Sequence, residues 1–166
     1  MQIFTDGSKS EHGVVAGIAI FIQGKLAQQA RYTLHKRCSK NQAEQLAIVK
    51  ALQSIGKLHI NEKIPRSATL HTDSRITLQS LQNENNHNYL IEEITKSAIT
   101  LEKRNWKITL TWIKDHVGNY GNELADKLAK EAARMMTSFS RIAKKGIVQL
   151  RVQSIAKWQN QWDSTT

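Results

Sequence analysis

The sequence predicts an α/β fold, a mixed sheet with helices on both faces. One observation is the element order. Three strand-like segments come first as a meander, and helices and strands then alternate as αβααβα. The second is periodicity. The strand segments are short and rich in β-branched residues, whereas the helical segments repeat apolar residues three and four apart. The third is size: 166 residues, 40% apolar and 23% charged, suit one globular domain with a short appendage.

Residues 2–5 read as a short strand that ends at the turn-like Asp6-Gly7-Ser8. Residues 14–22 form a buried strand, Gln23-Gly24-Lys25 a hairpin turn, and residues 26–34 the returning strand. Ser39 is an N-cap for a helix over 40–55 that stops at Gly56. The single proline, Pro65, precedes a strand over 67–72. Ser74 opens a short helix to residue 82, and the polar run 83–88 connects it to an amphipathic helix over 89–104. A strand over 107–113, a glycine-containing loop and a helix over 122–136 follow. Trp106 and Trp112 are expected in the core. In the tail, Val148, Val152, Ile155, Trp158 and Trp162 recur at helical spacing and predict a C-terminal amphipathic helix.

Composition excludes several classes of function. The longest apolar run, 14–22, is too short to cross a bilayer, and the first residues lack the layout of a signal peptide. One cysteine, Cys38, makes no internal disulfide and points to a reducing, intracellular setting, nucleus or cytoplasm. A membrane partner, a secreted disulfide scaffold and a zinc finger are thereby excluded. The net charge of +10 suits a polyanionic partner such as nucleic acid, although charge alone also reads as plain solubility.

Four carboxylates sit where packing would not put them. Asp6 and Asp73 follow strands, the position at which α/β sheets gather ligands. Glu44 shares one helical stripe with Ile48, Ala51 and Ile55, so it faces the sheet. Asp126 lies in the first turns of the last long helix. Each has a bland explanation: a turn, an N-cap, or a charge complementing a helix dipole. Glu44 resists that explanation best. A cluster of like charges in one cleft repels itself unless metal neutralises it, and oxygen ligands without a His or Cys set point to magnesium or manganese.

Thr5-Asp6-Gly7-Ser8, Asn41-Gln42-Ala43-Glu44, His71-Thr72-Asp73-Ser74 and the stretch 112–126 (WIKDHVGNYGNELAD) together resemble type 1 ribonuclease H, in that family's order and approximate spacing. The loop 116–126 and the closing 157–163 (KWQNQWD) are most similar to the RNase H domains of non-LTR retrotransposon reverse transcriptases. The resemblance implies an RNase H-like, five-stranded mixed sheet, a catalytic domain over 1–136 and an extension over 137–166. It implies an endonuclease that hydrolyses the RNA strand of RNA–DNA hybrids and leaves 5′-phosphate and 3′-hydroxyl ends, as a part of a longer polyprotein whose reverse transcriptase is a partner.

The resemblance carries the metal ligands onto Asp6, Glu44, Asp73 and Asp126. Two Mg2+ ions, with Mn2+ as a substitute, are expected about 3.5–4 Å apart astride the scissile phosphate. Asp6 bridges both ions in this reading, Glu44 and Asp73 share one, and Asp126 holds the ion on the water side. His116 takes the place of the family's mobile histidine, handing on a proton or helping product and metal leave. Gly7, Ser8, Asn41 and Gln42 match positions that read the RNA 2′-hydroxyl, with Gly7 admitting the sugar–phosphate backbone closely. Ser39 and Asn41, at a helix N-terminus, suit a phosphate of the DNA strand. The chain departs from the family in two places. The basic, tryptophan-bearing handle of cellular relatives is absent from 82–88, and Lys114-Asp115 stands where Pro-Gly is common. The rival readings are a superfamily nuclease acting on DNA and a non-catalytic hybrid-binding module.

Overall fold

The computed structural model describes residues 1–113 and Leu124. Among these, the elements run β1 (Gln2–Ser10), β2 (Gly13–Ile22), β3 (Lys25–Leu34), α1 (Lys40–Lys57), β4 (Ser67–Thr72), α2 (Arg75–Gln82), α3 (Tyr89–Lys103) and β5 (Lys107–Trp112). The strands form one five-stranded sheet in the order β3-β2-β1-β4-β5. Strands β1 to β3 are antiparallel, and β4 and β5 run parallel to β1, which gives the mixed sheet that the sequence predicts.

Local chemistry accounts for most element boundaries. Gln23 and Gly24 both have positive φ, 51° and 75°, the geometry a tight two-residue hairpin demands. Ser39 opens α1 with a full capping box. Its hydroxyl accepts from Gln42 N–H at 3.1 Å, and its own N–H donates to Gln42 Oε1 at 2.8 Å. The connector 83–88 is built by asparagines: Asn83 and Asn86 side chains accept from the backbone two residues on, and Asn88 caps α3 through Leu90 N–H. No handle helix lies between α2 and α3.

Two boundaries differ from expectation. Helix α1 passes through Gly56 to Lys57, because Gly56 keeps a negative φ and the turn is made by an extended Leu58. Strand β1 does not end at Asp6. It pairs with β2 through Ser10↔Gly13, so Asp6-Gly7-Ser8 is strand rather than turn. Only its parallel pairing with β4 stops earlier, at Thr5↔Thr72.

Helices α1 and α3 cover one face of the sheet. Ile3, Ile18, Ile20, Ile48, Leu52, Leu70 and Ile94 are fully buried there. Each such side chain contributes roughly 1.5–3 kcal/mol. The other face carries Phe4, Ala19 and Phe21, against which Ile113 and the helical Leu124 pack. Apart from Leu124, the expected helix over 122–136 and the amphipathic tail lie outside the described residues. No helix among the described residues is long and apolar enough to cross a membrane.

Candidate active site

The parallel register of β1 and β4 builds the first half of the site. Phe4 pairs with His71 and Thr5 with Thr72, so Asp6 and Asp73 come next, side by side, where the ladder ends. Their side chains follow Phe4 and His71 along one face of the pleat, and those two rings stack at 4.7 Å. The exit of β4 is shaped locally. Ser74 N–H donates to Thr72 Oγ1 at 3.1 Å, and Ser74 then caps α2 by accepting from Thr77 N–H. His71 itself stays out of the cluster: its ring nitrogens face Gln2 Oε1 and Thr111 Oγ1, and burial lowers its pKa.

Helix α1 supplies the third carboxylate, and Gly7 is what admits it. A Cβ on Gly7 would stand 2.5 Å from Glu44 N, 2.8 Å from Glu44 Cγ and 2.9 Å from Lys40 O. The first turns of α1 therefore lie directly on the bare Cα of β1, and the Glu44 side chain crosses it. The glycine is required by this strand–helix approach, and on the side its Cβ would occupy the space is taken by α1, not left for a sugar–phosphate backbone. Ile48, Ala51 and Ile55 continue the buried stripe, so the inward face predicted for Glu44 is the observed one.

Asp6, Glu44 and Asp73 each present a carboxylate oxygen within 4.8 Å of the others. Asp6 is 6% exposed and Glu44 8%. One Asp6 oxygen accepts from Gly7 N–H at 2.8 Å, which orients it. Lys40 reaches the cluster from the start of α1, its Nζ 3.4 Å from Glu44 Oε1. Burial pulls the Lys40 pKa down, but the fields of Glu44, Asp73 and Asp6 outweigh this, so the ammonium titrates above its usual range. One ammonium against three carboxylates leaves a negative excess. Convergent, all-oxygen donors of this kind, two of the three buried, fit a hard divalent cation such as magnesium or manganese.

Trp112 departs from the core position expected of it. As the last residue of edge strand β5 it is 44% exposed, while Trp106 is buried as predicted. The Trp112 indole N–H donates to Asp73 O at 3.1 Å, and the Arg75 guanidinium lies 5.0 Å from the ring centroid. Trp112 thus ties β5 to the backbone of the carboxylate at the end of β4. Trp112→Phe keeps an aromatic ring, though a smaller one, and removes this donor. It should cost roughly 0.5–1.5 kcal/mol of stability in urea unfolding, and it should weaken divalent-ion binding measured by calorimetry. Unchanged metal affinity would show that Asp73 needs no such tether.

The remaining predicted residues divide by location. Ser39 and Gln42 spend their side chains on each other in the capping box. Asn41 Oδ1 accepts from Ser74 Oγ at 3.5 Å, a weak link between the starts of α1 and α2 beside the cluster. Ser8 is half-buried on β1. His116 and Asp126 lie outside the described residues. Lys40 and Trp112 were missed as site residues. The signal for Lys40 was a cation at the first position of a helix whose fourth-following residue is the inward glutamate.

Comparison with known proteins finds relatives over most of the chain. The family described as RNase H matches residues 1–134. A ribonuclease H of Campylobacter jejuni (strain 81-176) is 30% identical over 140 residues, covering 80% of this chain and 90% of its own. A ribonuclease HI of Pasteurella multocida is 27% identical over 161 residues, covering 82% and 92%. Among solved structures, RNase H1 from the halophilic archaeon Halobacterium salinarum superposes with a TM-score of 0.61 at 21% identity, over 80% of this chain and 96% of that one. LC11-RNase H1, isolated from compost, gives 0.65 at 21% identity, over 82% and 97%. At such identities these structures support the fold.

Proposed function

This chain belongs to the RNase H family and is a metal-dependent nuclease of that family; on that premise we propose that it hydrolyses the RNA strand of RNA–DNA hybrids with two divalent ions, magnesium by preference and manganese as a substitute. The observation that carries this reading is the convergence of carboxylate oxygens of Asp6, Glu44 and Asp73 within 4.8 Å of one another.

Asp6, Glu44, Asp73 and Asp126 are assigned as the residues that would hold the ions. Bound there, the ions would supply an activated water and charge stabilisation for the leaving 3′ oxygen. The chain's own groups do the rest. Backbone groups of Gly7 and Ser8 on β1, with Asn41 and Gln42 at the start of α1, are assigned to the 2′-hydroxyl side of the substrate. Ser39 sits at the positive end of α1, suited to a DNA-strand phosphate. His116 is assigned to proton handling as product leaves. The family match over 1–134 supports a catalytic unit over 1–136, with 137–166 as an extension. The closing 157–163 motif supports attachment to a reverse transcriptase of a non-LTR retrotransposon, and with it an intracellular location.

Labelled RNA–DNA hybrid, double-stranded RNA and duplex DNA, each with magnesium and with EDTA, test the reading. Cleavage confined to the hybrid and abolished by EDTA is expected. Cleavage of duplex DNA would favour a different nuclease of the superfamily, and binding without cleavage a non-catalytic module.

Substrate affinity is expected to depend steeply on salt. The connector 83–88 carries no Lys or Arg, so dispersed cations of a +10 chain must contact the phosphates. For roughly four such contacts, affinity should fall about a hundredfold between about 50 and 200 mM salt. Hybrid binding by an inactive variant across that range checks this, and a flat response would contradict it.

A further inference from the structure

We propose that Lys40 is the resident counter-ion of the carboxylate cluster and competes there with the divalent cation, so that it sets the metal affinity of the site. The inference rests on the metal reading above and goes beyond it by giving one side chain control of occupancy.

Geometry comes first. Lys40 Nζ stands 3.4 Å from Glu44 Oε1, and Asp6 and Asp73 act on the same ammonium through space. Its origin is fixed, because the Lys40 carbonyl is part of the helix turn pressed against Gly7. Helix energetics give no reason for a lysine at this position. It is the first residue of α1, at the positive end of the helix dipole, where a cation is unfavourable, and the first turn holds no acidic residue to offset it. Lysine four residues before glutamate is also the poorer order for a helical ion pair. The carboxylate cluster, with Glu44 nearest at 3.4 Å and the fields of Asp73 and Asp6 beside it, is what holds this charge in place.

Chemistry decides what the charge does. An ammonium has three donors and no acceptor, so Lys40 cannot ligate a metal; it can only stand in for one or repel one. Its side chain is half exposed and carries the charge on a flexible four-carbon stem. It can swing into solvent when a cation with more charge enters. The protein thus keeps its repelling carboxylates together without metal, at the expense of weaker metal binding.

The test compares the full chain with Lys40→Gln, Lys40→Arg and Lys63→Gln, the last removing a charge from the 61–64 turn. Magnesium chloride alone is titrated by calorimetry, and melting is followed in EDTA at low ionic strength. Lys40→Gln should bind magnesium about fivefold more tightly and should melt lower in EDTA. Lys40→Arg, which keeps the charge, and Lys63→Gln should both stay near wild type. Wild-type binding of magnesium with no gain in Lys40→Gln, or an equal gain in Lys63→Gln, overturns the inference alone. Failure of the wild type to bind magnesium or manganese overturns the metal reading, and the inference with it.

Discussion

Asp6→Asn is expected to reduce hybrid cleavage by roughly a thousandfold or more, since several kcal/mol of transition-state charge stabilisation depend on the metal that this carboxylate helps hold. The fold should survive. Asparagine is nearly isosteric, and its Oδ1 can still accept from Gly7 N–H, as the Asp6 oxygen does at 2.8 Å. In EDTA the variant should melt at or above wild type, because one of three clustered, mutually repelling charges is gone. In magnesium the order should reverse, since wild type gains more from binding. Cleavage time courses and paired melts decide the matter. Wild-type activity in Asp6→Asn would sink the metal assignment, and a collapsed melt in EDTA would make Asp6 a structural residue instead.

Gly7→Ala should be the most damaging small substitution near the site. The added methyl would meet Glu44 N at 2.5 Å and Lys40 O at 2.9 Å, and both are backbone atoms that cannot rotate aside. Helix α1 must move off β1, at a cost of about 1–3 kcal/mol. The same displacement carries Glu44 away from Asp6 and Asp73, so magnesium affinity and activity should fall together. Gly56→Ala is the comparison. Its Cβ would meet Arg104 Nη1 at 3.4 Å in the last turn of α1, where Gly56 has negative φ, and stability should hold or rise by up to about 1 kcal/mol. Urea unfolding with a magnesium titration measures both. A Gly7→Ala protein as stable as wild type would show that the strand–helix approach has slack.

Much of this was legible from the chain alone. The β-branched run of β2, the Gln23-Gly24 turn, the Ser39 and Ser74 caps and the inward stripe of α1 all stand where local preference puts them. These features depend on neighbours within a turn or two, and such neighbours are written next to each other. Glu44 could be singled out for the same reason: a charge on an apolar helical stripe is a local contradiction. The linear motifs then placed the carboxylates in one family pattern.

Other features wait on contacts between distant segments. Read alone, Asp6-Gly7-Ser8 is a good turn, and it becomes strand because β2 pairs beside it through Ser10. Asp6 meets Asp73 only because the parallel ladder stops at Thr5↔Thr72, a register set across 66 residues of chain. Gly7 owes its identity to a helix that begins more than thirty residues later. Trp112 carries the alternation of a core strand, and its place at the end of an edge strand turns it outward, onto Asp73 and Arg75. Lys40 looks like an ordinary solvated lysine until β1 and β4 deliver two more carboxylates to it. Propensity and periodicity are short-range, whereas register and close approach are long-range and steric, and the site exists only where the two kinds of constraint meet.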